Sequence, residues 1–213
     1  MTRRSIEKAH LRDTIAVERR ELAEILNAAP FNSWDTQSLC AGWRVRDVAA
    51  HMTMPFRYST PRFVIEIMKA GGSFNRMSDR SARRDAQMQT SELVAALRNN
   101  ADNPWKPPGG GFEGALTHDV IHGLDITVAL EVGRKVPEDC LRVVLDVVAR
   151  PKSVKYFGSD LDGIELRADD IDWSFGSGTP VIGMAQDLAL VLCGRKLPAE
   201  LLRGAESTRF VNT

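Results

Sequence analysis

From about Ser5 to Arg150 apolar residues recur at helical spacing and are interrupted by proline or glycine, so this part of the chain has to fold as packed helices. Leu11, Ile15, Leu22 and Ile25, with Arg and Glu between them, predict a first helix over about Ser5 to Asn27, closed by Pro30. An irregular stretch with Trp34, Cys40 and Gly42 follows. Trp43 to Met52 then begins a second helix that buries Val45, Val48, Ala49 and Met52. Thr60-Pro61 reads as an N-cap and first helical position leading into Arg62 to Ala70, with Gly71-Gly72 as the stop. Another helix is expected from about Ser78 to Asn99, with Leu93, Ala96 and Leu97 as its stripe. Asn103-Pro-Trp-Lys-Pro-Pro-Gly-Gly-Gly111 suits neither helix nor central strand and is a long loop. Helical pattern returns from about Gly114 to Val132, through Ile121, Leu124, Val128 and Val132, with Gly133 as C-cap. Pro137 to Arg150 repeats it through Leu141, Val144, Leu145 and Val148.

After Pro151 the period changes. Ile164 to Ala168 and Ile171 to Phe175 alternate as half-buried strands do, Gly176-Ser-Gly178 supplies a turn, and Met184 to Cys193 is an apolar helix capped by Gly194. The chain is therefore mainly α, with a helical unit over 1–135 and a small C-terminal α+β unit over 136–213. The helix at Pro137 to Arg150 fits either by pattern.

Lys plus Arg and Asp plus Glu are 28 each, so there is no positive field to attract nucleic acid. Trp34, Trp43, Trp105 and Trp173 are scattered without a basic patch and read as packing residues. No window approaches the roughly 18 to 20 apolar residues of a membrane span. The start MTRRSIEKAHLRDTIAVERRE has positive charge but no apolar run of a secretory signal. Cys40, Cys140 and Cys193 are odd in number and widely spaced, which points to reduced thiols and a cytoplasmic protein.

Chemistry concentrates in the histidines. His118-Asp-Val-Ile-His122 puts two imidazoles one turn apart on a single helix face, with Cβ atoms roughly 5 to 6 Å apart, close enough to chelate one ion. The plainer alternative is a solvated pair, but the helix around them is apolar on nearly every side. Asp119 and Asp125 flank the pair and are candidates to orient an imidazole or to act in acid–base chemistry; surface or interhelical bonding is the alternative for each. His51 lies on another apolar helix, where it can face the pair across a bundle interior or be an ordinary hydrogen-bonded core residue. His10 sits in a charged stretch and reads as surface. Cys40 reads as a small buried residue. Arg57 and the loop residue Trp105 are candidates to line a pocket, with surface roles as the alternative.

The segment Ala41-Gly-Trp-Arg-Val-Arg-Asp-Val-Ala-Ala-His51-Met resembles the second-helix signature of the DinB-like superfamily, with Trp43, Asp47 and His51 at successive turns. More narrowly, it resembles the mycothiol-dependent maleylpyruvate isomerase family. His118 and His122, followed by Gly-Leu-Asp125, match the second half of that family's metal motif. Leu161 to Gly178 and Gly183 to Arg195 are similar to its strand–turn region and following helix. The resemblance implies a DinB-like four-helix bundle, a divalent metal held by three side chains, a small C-terminal subdomain and an actinobacterial source. Some members, including the isomerase that names the family, carry a carboxylate where this chain has His118.

Three neutral imidazoles would leave a divalent ion with its full charge and an open position, the pattern of a catalytic site. Zinc is the first choice, with nickel or iron as alternatives. The resemblance favours mycothiol or a similar low-molecular-weight thiol as cosubstrate. It implies a metal-dependent transferase or isomerase acting on an electrophilic small molecule. A non-catalytic metal-binding or dimerising module and a metal-dependent hydrolase are the competing readings, although no Glu stands beside the histidines to serve a hydrolase as base. A homodimer is compatible with the pattern, which does not demand one.

Overall fold

The computed structural model describes the backbone of residues 3–212 and the side chains of residues 9–212; the first two residues of the charged start lie outside it. Nine helices and four short strands occur among the described residues. The helices are α1 (Arg3–Ala28), α2 (Val45–Arg57), α3 (Thr60–Lys69), α4 (Phe74–Asp85), α5 (Thr90–Asn99), α6 (Gly111–Thr127), α7 (Glu138–Val148), α8 (Pro151–Phe157) and α9 (Ala185–Leu192). The strands are β1 (Ile164–Ala168), β2 (Ser174–Gly176), β3 (Thr179–Gly183) and β4 (Leu202–Arg203).

Four helices close a bundle: α1 packs on α5 and α6, and α2 packs on the same two from the other side. Two apolar clusters hold it together. One joins Leu22, Leu26, Trp34, Trp43, Val48, Met52, Leu93, Leu97 and Ile126 inside the bundle. The other runs from Ile15 and the α6 residues Leu116, Val120 and Leu124 through α7 to β1, β3 and α9. Because α6 serves both clusters it is apolar nearly all round, so its histidines sit among buried neighbours.

Several boundaries differ from the sequence expectation, each for a local reason. The single helix expected from Ser78 to Asn99 is two helices. α4 ends at Asp85, and α5 restarts behind a capping box in which the Glu92 side chain accepts from the Gln89 backbone N–H. α2 starts at Val45 rather than at Trp43, with Arg44 as its N-cap, because Asp47 accepts from the Arg44 backbone N–H at 2.8 Å. Ser59, rather than Thr60, is the N-cap of α3. α6 begins three residues before Gly114 and ends at Thr127; a turn fills the stretch up to Gly133, whose φ is 69°. α8 was not expected from the sequence: Pro151 sits at its first position, and Gly158 closes it with φ 69°.

The sheet order is β2-β1-β3-β4, with β1 parallel to β3 and the other pairs antiparallel. β2 begins at Ser174, later than the expected Ile171, and β3 follows directly on the glycine turn where no strand was expected. Pro180 is tolerated in β3 because β4 pairs only with Ile182 and Gly183, beyond it. α9 packs on β1 and β3 and, as expected, is followed by Gly194 with φ 74°. It buries Asp187, which is 2% exposed. Burial, and then the Asp170 and Asp169 carboxylates, push the Asp187 acid up to about 7.

A Cβ at Gly178 would lie 2.1 Å from the Gly163 carbonyl oxygen, with φ at 132°, whereas one at Gly72 (φ 77°) would meet nothing within 4 Å. Gly72→Ala is expected to cost about 1 kcal/mol, the strain of a left-handed alanine, and Gly178→Ala considerably more, as measured by urea unfolding. For Asp187 the folded value lies above the unfolded one, so the neutral acid contributes fully below about pH 4, and that stability is lost as pH rises through about 7. Asp187→Asn should therefore gain on the wild type between those limits and hold its advantage above them, which thermal melts across pH will test.

Candidate functional site

α2 supplies His51 and α6 supplies His118 and His122, on faces that meet across the bundle interior. Each offers a ring nitrogen to a point at which all three lie within 4.8 Å of one another. The Nε2 atoms of His51 and His118 are 3.2 Å apart. Two nitrogens held tetrahedrally on an ion at about 2.0 to 2.1 Å stand roughly 3.3 Å apart, so this spacing fits a shared cation.

The far side of each ring is also engaged. His118 Nδ1 donates to Asp119 Oδ1 at 2.8 Å, and His122 Nδ1 donates to Asp125 Oδ2 at 3.0 Å. His51 Nδ1 meets Ser78 Oγ at 2.9 Å. A carboxylate can only accept, so it places the proton on Nδ1 and leaves the Nε2 lone pair free for a ligand. Burial first, and then the His122 and His118 imidazoles, hold the His51 pKa well below its ordinary value. Burial also lowers that of His122 against the pull of Asp125. Both rings are therefore neutral at physiological pH, as metal ligation requires.

Each orienting carboxylate is clamped by a guanidinium. Asp119 Oδ2 accepts from Arg19 Nε at 2.7 Å, and the two side chains are 3% and 0% exposed. Asp125 accepts from Arg195 Nε at 2.9 Å and Nη2 at 2.8 Å. Burial alone would raise the pKa of either acid, but His118 with Arg19, and Arg195 with His122, outweigh it and hold both below the usual carboxylate range. Asp119 and Asp125 are thus ionised, fully bonded groups that face the back of the imidazoles.

Two indoles wall the site. Trp43 lies 5.0 Å from His51 and 6.3 Å from His122 between ring centres, and its Nε1 donates to Asp79 Oδ1. Trp105 lies edge-on to His118 at 5.3 Å. Arg19 Nη1 donates to the carbonyls of Ala101 and Asn103 at 3.2 and 2.8 Å, which ties the approach to the Trp105 loop to the residue that holds Asp119.

Of the remaining candidates, Arg57 spends its donors on Thr53, Asp85 and the Ala50 carbonyl, bracing the end of α2. Asp47 caps α2. His10 is exposed on the surface, 3.7 Å from Asp139. Cys40 is half-buried rather than buried, and its thiol lies within 4.8 Å of His122 and Asp125. That second trio suits an ion poorly. Burial, then Asp125, push the Cys40 thiol up to about 11, and Asp125 is already shared between Arg195 and His122. Sequence reasoning missed Ser78, Arg19 and Arg195. All three look like surface residues in sequence, and only contacts across the fold give them partners.

A four-helix bundle that gathers three imidazoles, two of them oriented by carboxylates, defines a helical protein with a candidate metal centre. The chain belongs to the mycothiol maleylpyruvate isomerase family, a family of enzymes: the model described as "Mycothiol maleylpyruvate isomerase N-terminal domain" matches residues 15–126. The crystal structure of the mycothiol-dependent maleylpyruvate isomerase is similar with a TM-score of 0.55 at 11% identity, and a histidine-to-alanine mutant of it scores 0.56 at 10%. Each comparison covers 93% of both chains, so the likeness of fold extends over the C-terminal sheet. No curated protein sequence matches the chain. No helix among the described residues is long and apolar enough to cross a membrane.

Removing Arg19 would leave Asp119 as a buried, half-paired charge. Arg19→Met is expected to cost about 3 to 5 kcal/mol. The neighbouring exposed pair of Arg20 with Asp102 is worth about 1 kcal/mol or less, so Arg20→Met serves as the control in the same urea titration.

Proposed function

We propose that this chain is a metal-dependent enzyme that activates a low-molecular-weight thiol of the mycothiol type. It would use that thiol on an electrophilic small molecule, either transferring it or isomerising the substrate through a transient adduct. The observation that carries this reading is the convergence of three ring nitrogens whose far sides are already occupied by Asp119, Asp125 and Ser78. That arrangement is wasteful for a structural core and suited to holding a divalent cation, with zinc first and nickel or iron as alternatives. Membership of the isomerase family supports the thiol. Free, unpaired cysteines support a reducing, cytoplasmic setting.

His51, His118 and His122 would hold the cation, which when bound would supply a positive charge that keeps a thiol sulfur as its nucleophilic thiolate. Asp119 and Asp125 keep the Nδ1 protons of their histidines in place, and their guanidinium partners keep them ionised, so neither is free to take a proton from substrate. They are positioning residues. Trp43 and Trp105 exclude water from the imidazole faces and offer flat apolar walls to a conjugated electrophile. The unit over 1–135 carries the ligands, and the unit over 136–213 contributes Arg195.

Elemental analysis of tag-free protein tests the reading. About one equivalent of zinc, nickel or iron is expected, lost in His51→Ala and in the His118→Ala/His122→Ala double variant while both stay folded. Asp119→Asn should weaken metal affinity by about 10- to 100-fold. Maleylpyruvate or a related electrophile should be consumed only when both metal and thiol are present. Metal that is absent after reconstitution, or unchanged in the histidine variants, would falsify the site; turnover without thiol would leave the metal but remove the thiol chemistry.

A further inference from the structure

The outer face of α3 carries large apolar side chains that the described residues leave uncovered. Glu66 and Ala70 are buried and Phe63 and Ile67 half-buried on the inner face, where α3 packs mainly on α4. Pro61, Val64, Ile65 and Met68 lie on the opposite face at spacings of three and four, so they form one continuous stripe. Val64, Ile65 and Met68 are 45 to 64% exposed. Two exposed aromatics lie at the start of α4 and beside it. The ring of Phe74 stands 6.5 Å from that of Phe63, and the Tyr156 hydroxyl donates to Asn75 Oδ1 at 3.0 Å. Single exposed apolar side chains are ordinary on a protein surface; a stripe of them along one helix marks a contact surface.

The charge around this stripe is one-sided. From Tyr58 to Arg84 there are six Arg and Lys against two acids, in a chain whose overall charges balance. One of those acids, Glu66, is buried and spends its carboxylate on Lys69, Arg80 and Arg84 at 3.1 to 3.3 Å. The other, Asp79, accepts from Trp43 and Arg83. Both acids are thus taken up by neighbours, and the surplus is cationic. Arg62 follows Pro61, Lys69 follows Met68, and the Arg76 guanidinium lies against the Gly71 turn, whose N–H donates to the Met68 carbonyl. α8, which carries Tyr156, adds Lys152 and Lys155 and no acid. We propose that this face of α3 docks reversibly on an anionic lipid surface. Val64, Ile65 and Met68 enter the boundary of the acyl chains, and Arg62, Lys69 and Arg76 meet the headgroup phosphates. A second copy of the chain is a poorer occupant, because a twofold contact would set the cationic rim against itself. The stripe is the outside of a single helix, which suits a deformable lipid surface better than a rigid protein partner that needs matching pockets. None of this depends on the histidines holding a metal.

Co-sedimentation of the full chain with lipid vesicles tests the proposal, using phosphatidylcholine alone and phosphatidylcholine mixed equally with phosphatidylglycerol. Wild type should bind the mixed vesicles about tenfold or more tightly than the neutral ones, and added salt should weaken that binding. Ile65→Ser/Met68→Ser changes only exposed side chains and should melt as wild type does, yet lose about tenfold or more in vesicle affinity. Arg62→Gln/Arg76→Gln should lose the preference for the anionic lipid. Phe31→Ser, at an exposed apolar residue outside α3, should bind as wild type does. The proposal is overturned if wild type ignores the mixed vesicles, binds both kinds equally, or binds as well after Ile65→Ser/Met68→Ser. A wild-type dimer that the same double variant converts to monomer would assign the face to a second copy. Tighter binding of a polyglutamate peptide than of the vesicles would assign it to an acidic protein, and either result overturns the lipid assignment.

Discussion

Two buried carboxylates, each held between an imidazole and a guanidinium, set the geometry on which the rest of this molecule depends. A carboxylate at 0 to 4% exposure has lost its water and must recover nearly all of that loss from the protein. Asp119 does so with one bond to His118 and one to Arg19, and Asp125 with His122 and both arms of Arg195. The pairing leaves little freedom. If either guanidinium withdrew, the acid behind it would protonate or pull its imidazole out of line, and the ring nitrogens would no longer converge. The positions of the histidines are therefore set by residues far from them in sequence. Arg19 lies near the start of the chain, and Arg195 lies beyond the sheet. Arg195 thus shapes the histidine cluster from beyond the sheet although none of the three imidazoles lies there.

The clustering of His51, His118 and His122 was legible because it obeys two local rules. A spacing of four places side chains on one helix face, and an apolar surround tells which helices are central. The same rules predicted α1, α7 and α9 and marked β1. They failed where a residue's environment depends on partners distant in sequence. Arg19 sits in a helix studded with Arg and Glu, and nothing in that pattern separates it from the exposed Arg20 beside it. One side chain is fully buried and the other is half exposed, and the difference lies a hundred residues away at Asp119. Ser78, on α4, is equally unremarkable in sequence. It matters only because α4 packs on α2 and brings its hydroxyl to His51.

Errors in the helix and strand boundaries have a related cause. The break between α4 and α5 carries neither glycine nor proline, and it is stabilised by Gln89 acting as an N-cap, an unusual choice beside Ser, Thr, Asp or Asn. β3 contains Pro180, which argues against a central strand, yet the strand forms because neighbouring β4 is only two residues long and makes no demand at that position. Its parallel pairing with β1 is a contact between strands that a short glycine turn cannot join directly as a hairpin, so β2 takes the hairpin position instead.

The arrangement of polar residues around α6 bears on why the bundle carries the C-terminal unit. On one side of the Asp125–Arg195 pair stand imidazoles with satisfied far sides; on the other lies a groove beside which Thr127 Oγ1 and Arg134 Nε have no partner among the described residues. A core selected for stability alone would replace Thr127 with an apolar residue of similar volume, since an unpaired buried polar group only subtracts from folding free energy. Arg195 is common to both sides: it lines the groove and grips the Asp125 carboxylate behind His122. Any turn of Arg195 toward the groove would lengthen its bonds to Asp125, and among the described residues no other guanidinium grips that acid behind His122.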